Sequence, residues 1–177
     1  MKKLILKTDF AVARFIHKNL NKPWINKTLS RINRGETLLV LFLLSLYFFS
    51  PAAVPLFFLI LYVAVFSFIT DRFVLFLKKK ISRERPLTSV IGKVDSNPDM
   101  RHSFPSAHSA NSMTLLFLLV FGFQFPAVFL VISFLAGIGR MLSLHHFLSD
   151  VIGGWVIGAV CGAAGVFILH SGFLQLH

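Results

Sequence analysis

Residues 37–70 read TLLVLFLLSLYFFSPAAVPLFFLILYVAVFSFIT, a run without one charged side chain. A helix of about 20 apolar residues crosses a bilayer, so this run holds more than one crossing. Ser50-Pro51-Ala52-Ala53-Val54-Pro55 interrupts it, and proline there favours a turn over a continuous helix. The stretch predicts two membrane spans, roughly Asn33–Phe49 and Val54–Leu77, with Lys78-Lys79-Lys80 ending the second.

The rest of the chain has the same grain. Of 177 residues, 55% are hydrophobic and 14% charged, with a mean hydropathy of +0.75. Soluble domains are about a quarter charged, so an ordinary cytosolic fold is excluded, and the apolar content excludes disorder. Ser103–Gly139 again lacks Asp, Glu, Lys and Arg and breaks at Gly122–Pro126, which predicts spans at Ser106–Phe121 and Pro126–Leu142. A fifth span runs from Asp150 to about Leu169, and Gly153, Gly154, Gly158, Gly162, Ala163 and Ala164 allow close helix approach in lipid. In the first 34 residues, Leu6, Phe10, Ala13, Ile16 and Leu20 form one helical stripe, while Lys7, Arg14 and Lys18 share another face. That pattern predicts a helix lying on the membrane surface; the alternative is a basic helix packed on a neighbouring protein. Lys7, Asp9, Arg14 and Lys18 interrupt any leader-like apolar core, so no cleaved leader is expected. The single cysteine, Cys161, rules out an intrachain disulfide and argues against a Cys-based metal site.

The expected fold class is all-α: a polytopic membrane helix bundle of about five transmembrane helices plus an N-terminal interfacial amphipathic helix. It forms a single domain over 1–177, with 1–34 as the interfacial segment. Such a topology puts the N-terminal segment, the polar loop 81–102 and the short loop Ser143–Ser149 on one side of the bilayer. Lys78, Arg85, Ser106, His108, Arg140, His146 and Asp150 then converge at one depth, where ionisable groups mark function. Pro105-Ser106-Ala107-His108 reads as a helix start whose backbone N–H groups form an anion cradle. Lys78, Arg85 and Arg140 supply three cations to a phosphate. His146 and Asp150, four apart, share a face if helical. A carboxylate on one ring nitrogen leaves the other as a nucleophile, and His108 remains as an acid for the leaving oxygen.

Lys78-x6-Arg85-Pro86, Pro105-Ser106-Ala107-His108 and Arg140-x5-His146-x3-Asp150 together resemble the three linked motifs of the type 2 phosphatidic acid phosphatase family, whose superfamily also holds vanadium haloperoxidases and bacterial acid phosphatases. The resemblance implies that His146 is the nucleophile of a phosphohistidine intermediate and that Asp150 orients it. His108 protonates the leaving group, and Lys78, Arg85, Ser106, Ala107 (through its N–H) and Arg140 bind the phosphate. It implies no metal and no cofactor, and it makes 81–102 an active-site loop. Two positions depart from the family pattern: Ala107 replaces a usual glycine and Gly139 a usual serine. His145 and His102 are secondary candidates for substrate or loop contacts. Asp71-Arg72 reads as a structural or snorkelling ion pair, and Asp95 and Asp99 as solvated loop residues.

The expectation is therefore an integral membrane lipid phosphatase. Its substrate is a phosphorylated membrane lipid: lipid A 1-phosphate, undecaprenyl diphosphate or phosphatidylglycerol phosphate. Its partner is the lipid bilayer, not nucleic acid. The rivals are a vanadate-dependent haloperoxidase-like enzyme and a non-enzymatic lipid-head-group or haem-binding membrane protein. All 18 Lys and Arg, against 7 Asp and Glu, fall on the motif-bearing half. The positive-inside rule points that half to the cytoplasm. The resemblance to bacterial inner-membrane members points it to the outer, periplasmic face, and the outer face is the expectation.

Overall fold

The computed structural model describes residues 2–20, 22, 24, 35–51, 54–92 and 102–171. Among them every regular element is helical: α1 Lys2–Asn19, α2 Gly35–Phe49, α3 Leu56–Ile81, α4 Pro86–Ile91, α5 Ala107–Phe117, α6 Leu130–Leu142 and α7 Leu148–His170. A π-turn, Leu118–Gly122, extends α5, and a 3-10 turn, Ala127–Phe129, leads into α6. Within the described residues, α3 and α7 are long and apolar enough to cross a bilayer, and α2, α5 with its π-turn, and α6 are shorter apolar helices. Phe57, Phe68 and Phe76 on α3 and Val156, Val160 and Phe167 on α7 are exposed, as lipid-facing side chains are.

The helix boundaries follow the sequence with physical exceptions. α3 continues past Leu77 through all three lysines to Ile81. Lysine is a good helix former, and cations suit the negative end of the helix dipole. The helix stops where Ser82 turns left-handed, at φ 47°, and donates its N–H to the Lys78 carbonyl. The polar loop expected over 81–102 contains α4, which starts on Pro86 at its first position and ends on Gly92 at φ 77°. Asn33 and Arg34 of the first expected span, Ala52 and Ala53 of the first turn, 25–34 of the interfacial segment and 93–101 of the loop, with Asp95 and Asp99, lie outside the described residues.

The bundle is organised by α5 against α7. Gly154, Gly158, Gly162 and Gly165 are buried along one face of α7. A Cβ on Gly154 would stand 2.6 Å from the Ser106 carbonyl oxygen, and one on Gly162 2.7 Å from Phe117 Cβ. One on Gly158 would collide with the Ala110 carbonyl oxygen. Ala163 and Ala164 are exposed and take no part in this seam. Polar side chains tie α3 to it: Thr70 Oγ1 pairs with Thr114 Oγ1 at 3.1 Å, Thr114 donates to the Gly158 carbonyl at 3.1 Å, and Tyr62 donates to the Gly165 carbonyl at 2.6 Å. Leu46, Leu59, Val63, Leu118, Leu119, Phe123 and Phe125 close the far end as an apolar cluster.

α1 lies against this bundle at the opposite end. Ala13 and Ile16 are buried against Leu144 and Phe147, with Phe10 and Leu20 beside them. Leu6 of the expected stripe is exposed instead, as are Lys7, Arg14 and Lys18. The helix thus keeps its amphipathic character while its apolar face packs on its own chain.

Candidate active site

α3 delivers the first cation. Leu59, Val63, Thr70, Val74 and Lys78 form its buried stripe, so the helical period turns Lys78 inward and leaves Lys79 and Lys80 exposed. Arg85 precedes α4 in extended backbone and is buried. Three hydrogen bonds fix its neighbourhood: Ser103 donates from its N–H to the Arg83 carbonyl and from Oγ to the Glu84 carbonyl, while Leu87 N–H donates to the Leu144 carbonyl at 3.1 Å. Arg140 comes from the last turn of α6. Lys78, Arg85 and Arg140 lie within electrostatic reach of one another, and Lys78 and Arg85 within reach of His146. Three like charges held together, two of them buried, mark a place prepared for an anion.

The third motif departs from a simple helical picture. His146 is not on a helix: it sits in the turn 143–147, one residue before Phe147, which caps α7. Asp150 meets it because Asp150 is the third residue of α7 and reaches back over the helix start, accepting the Phe147 N–H at 2.8 Å. His146 Nδ1 and Asp150 Oδ2 stand 3.8 Å apart, an electrostatic contact wider than a hydrogen bond. Asp150 is wholly buried and His146 is 3% exposed. Burial, reinforced by Arg85 and Lys78 and opposed by Asp150, pushes the His146 imidazole down to about 4. The ring is neutral at pH 7, the form a nucleophile needs. His145 turns aside, with Nδ1 3.0 Å from both the carbonyl and the Oγ of Ser143.

The second motif needs a correction at its first amide. Pro105 stands just outside α5, and Ser106 is its N-cap, with Oγ accepting from the Ser109 N–H at 3.4 Å and the Ser109 Oγ at 3.0 Å. The Ser106 N–H is committed to the Asp150 carbonyl at 3.0 Å. It therefore joins α5 to α7 and does not belong to an anion cradle. Ala107 and His108 occupy the first two helical positions, whose amides have no acceptor within the helix. Helical backbone accommodates the Ala107 Cβ in place of glycine. Ala107 and His108 line a cavity of about 470 Å³ shared with Asp71, Asn111, Leu116, Leu119 and Phe129. Asp71 pairs with the exposed Arg72 at 2.6 Å and accepts from Asn111 Nδ2 at 3.3 Å, beside this cavity. Among the described residues, no three His, Cys, Asp or Glu side chains cluster as metal ligands.

Two residues at the site escape the motif reading. Arg83 Nη1 donates to Asp150 Oδ1 at 2.8 Å and to Ser149 Oγ at 2.7 Å, Nη2 donates to Asp9 Oδ2 at 2.7 Å, and the guanidinium lies 4.2 Å from the Phe147 ring centre. Asp9, from α1, is 2% exposed. A signal for it exists in the sequence: Asp9, Ala13, Ile16 and Leu20 are spaced four, three and four apart, which sets a carboxylate on an apolar stripe.

A family model described as the PAP2 superfamily matches residues 54–171. The crystal structure of the first transmembrane PAP2 type phosphatidylglycerolphosphate phosphatase from Bacillus subtilis has the same fold, with TM-score 0.64 and 21% identity over 98% of this chain and 90% of that one. No curated protein matches the chain.

Proposed function

The chain belongs to the PAP2 superfamily, and on that premise we propose that it is an integral membrane lipid phosphatase working through a phosphohistidine intermediate. The observation that supports this most strongly is the placing of a buried, neutral His146 beside Lys78 and Arg85, with Arg140 next to them. In the first displacement His146 attacks phosphorus, the P–O bond to the lipid breaks, and His108 protonates the departing oxygen. In the second, water attacks the phosphohistidine and releases inorganic phosphate and a free imidazole, with His108 taking the proton from water. Asp150 supports the imidazole as positive charge grows on it. Lys78, Arg85, Arg140, the Ser106 hydroxyl and the Ala107 N–H hold the phosphoryl oxygens, so the charge that stabilises the transition state comes from side chains and backbone. The chain needs no metal or cofactor in this scheme.

The cavity from His108 toward Leu119 and Phe129 suits a lipid whose tail stays in the bilayer while its phosphate meets the cations. Phosphatidylglycerol phosphate, undecaprenyl diphosphate and lipid A 1-phosphate all have this form. The setting is the bacterial inner membrane with the site on its outer face, and the whole chain acts as one domain, with 81–102 as its active-site loop.

The test is a phosphate-release panel over these three lipids with the purified protein, using His146→Ala as the blank. Release from at least one lipid, falling roughly 10⁴-fold in the variant, is expected. A variant that keeps wild-type turnover would sink the mechanism, and no release from any lipid would sink the activity.

A further inference from the structure

We propose that Asp9, acting through Arg83, is a positioning residue for the reaction, so that the N-terminal helix helps set the charge behind the nucleophile. The proposal rests on the phosphatase reading above.

The argument starts at the beginning of α7. Its cap residue, Phe147, has no side-chain acceptor for the first-turn amides. Two carboxylates serve the helix start instead, one at the cap amide and one at a first-turn amide. Asp150 accepts the Phe147 N–H, and Asp9 reaches across from α1 to accept the Ser149 N–H at 3.0 Å and the Ser149 Oγ–H at 2.5 Å. Arg83 lies between the two carboxylates, bonded to each. One guanidinium cannot neutralise both. Two negative charges and one positive leave a net charge of minus one in a site that is almost closed to water, where it is weakly screened.

That residual charge faces the histidine. Around His146 stand Lys78 from α3, Arg85 from the start of α4 and Asp150 from α7. Arg140 of α6 lies beside Lys78 and Arg85, and His108 of α5 lines the cavity described above. Asp150 is thus the carboxylate opposing this set of cations at the imidazole. Without Asp9, Arg83 and Asp150 would close into a neutral pair, and Asp150 would support the imidazole less. With Asp9, Arg83 is shared, and Asp150 keeps charge to spend on His146. Arg83 also packs on the Phe147 ring, next to the nucleophile in sequence, so the same group steadies the turn.

Near-isosteric variants of the full chain test this, assayed with the best lipid of the panel. Asp9→Asn keeps shape and removes charge. We expect kcat to fall about tenfold, the scale of losing a group that orients a histidine from behind, with KM nearly unchanged. The acid limb of the kcat profile should move to lower pH, because a negative charge that favoured the imidazolium is gone. Asp9→Glu should restore most of the rate. Arg83→Gln should move the limb the opposite way, to higher pH, because it leaves two carboxylates uncompensated. Lys7→Gln, on the exposed face of α1, is the control and should match wild type. Limb shifts of opposite sign support the proposal. An Asn variant with wild-type kcat, or losses in both variants with an unmoved limb, would overturn it and leave Asp9 a merely structural cap. If the wild type itself releases no phosphate, the phosphatase reading fails instead.

Discussion

At the end of the bundle that carries the Pro51 and Gly122–Pro126 turns, Leu59, Leu118, Leu119, Phe123 and Phe125 are packed almost without exposure. At the other end, Lys78, Arg85, His146, Asp150, Asp9 and Ser106 are buried to a similar degree. One end excludes water with hydrocarbon, the other with charge. The apolar end depends on shape alone, and each side chain there can be traded for another of like volume. The polar end depends on balance. Asp150 is balanced there by Arg83, and Lys78, Arg85 and Arg140 repel one another. Stability and activity are therefore expected to separate along the bundle axis.

Arg140→Ala tests that separation most sharply. It should cost about 10²–10³ in kcat, the scale of losing one donor to transition-state charge. Thermal unfolding in detergent should be unchanged or shifted upward, because a repulsion is removed. A loss of both together would show that the cations are structural. Next in size is Gly158→Val, on the seam that joins the two ends. Its side chain would meet the Ala110 carbonyl and force α5 from α7, a cost of roughly 1–3 kcal/mol. Activity should fall mainly as folded protein is lost. Gly154→Ala, one turn nearer the site and set against the Ser106 carbonyl, should lose activity per folded molecule as well. At the apolar end, Leu59→Ala, at a wholly buried site away from the cavity that His108 lines, should lower stability by about 2 kcal/mol and leave kcat per folded molecule as it was. The smallest effect is spectroscopic. NMR of the His146 ring should show it neutral at pH 5.5, since its value is held near 4. Vanadate or phosphate, by offsetting Arg85 and Lys78, should raise that value. A ring that titrates in the ordinary histidine range in the empty site would contradict the burial that sets it.

The apolar end and the spans were legible because hydropathy and breaks are local properties: 37–70 and 103–139 declare themselves residue by residue. The seven motif residues were legible from order and spacing. What spacing did not carry was the geometry between them. His146 and Asp150 meet across a helix start, not along a helix, and the Ser106 amide is used to join two helices. Arg83, between Lys78 and Arg85, carries no signal of its own in the sequence, because its partners come from residues 9 and 150. A pairing that distant is written in two places at once, and only an acid on an apolar stripe hinted at it.

The contact between Asp9 and Ser149 joins residues 140 positions apart. Its consequence is one of timing. Domains take shape in order of synthesis, and here α1 must wait for α7 to complete this contact. Until Ser149 and Asp150 have emerged, α1 lacks its contacts at the start of α7, and Arg83 lacks the Asp150 half of its clamp. A nascent chain carrying the first two motifs is thus not a weak enzyme but an unfinished one, and the site comes into being only when α1 and the start of α7 meet.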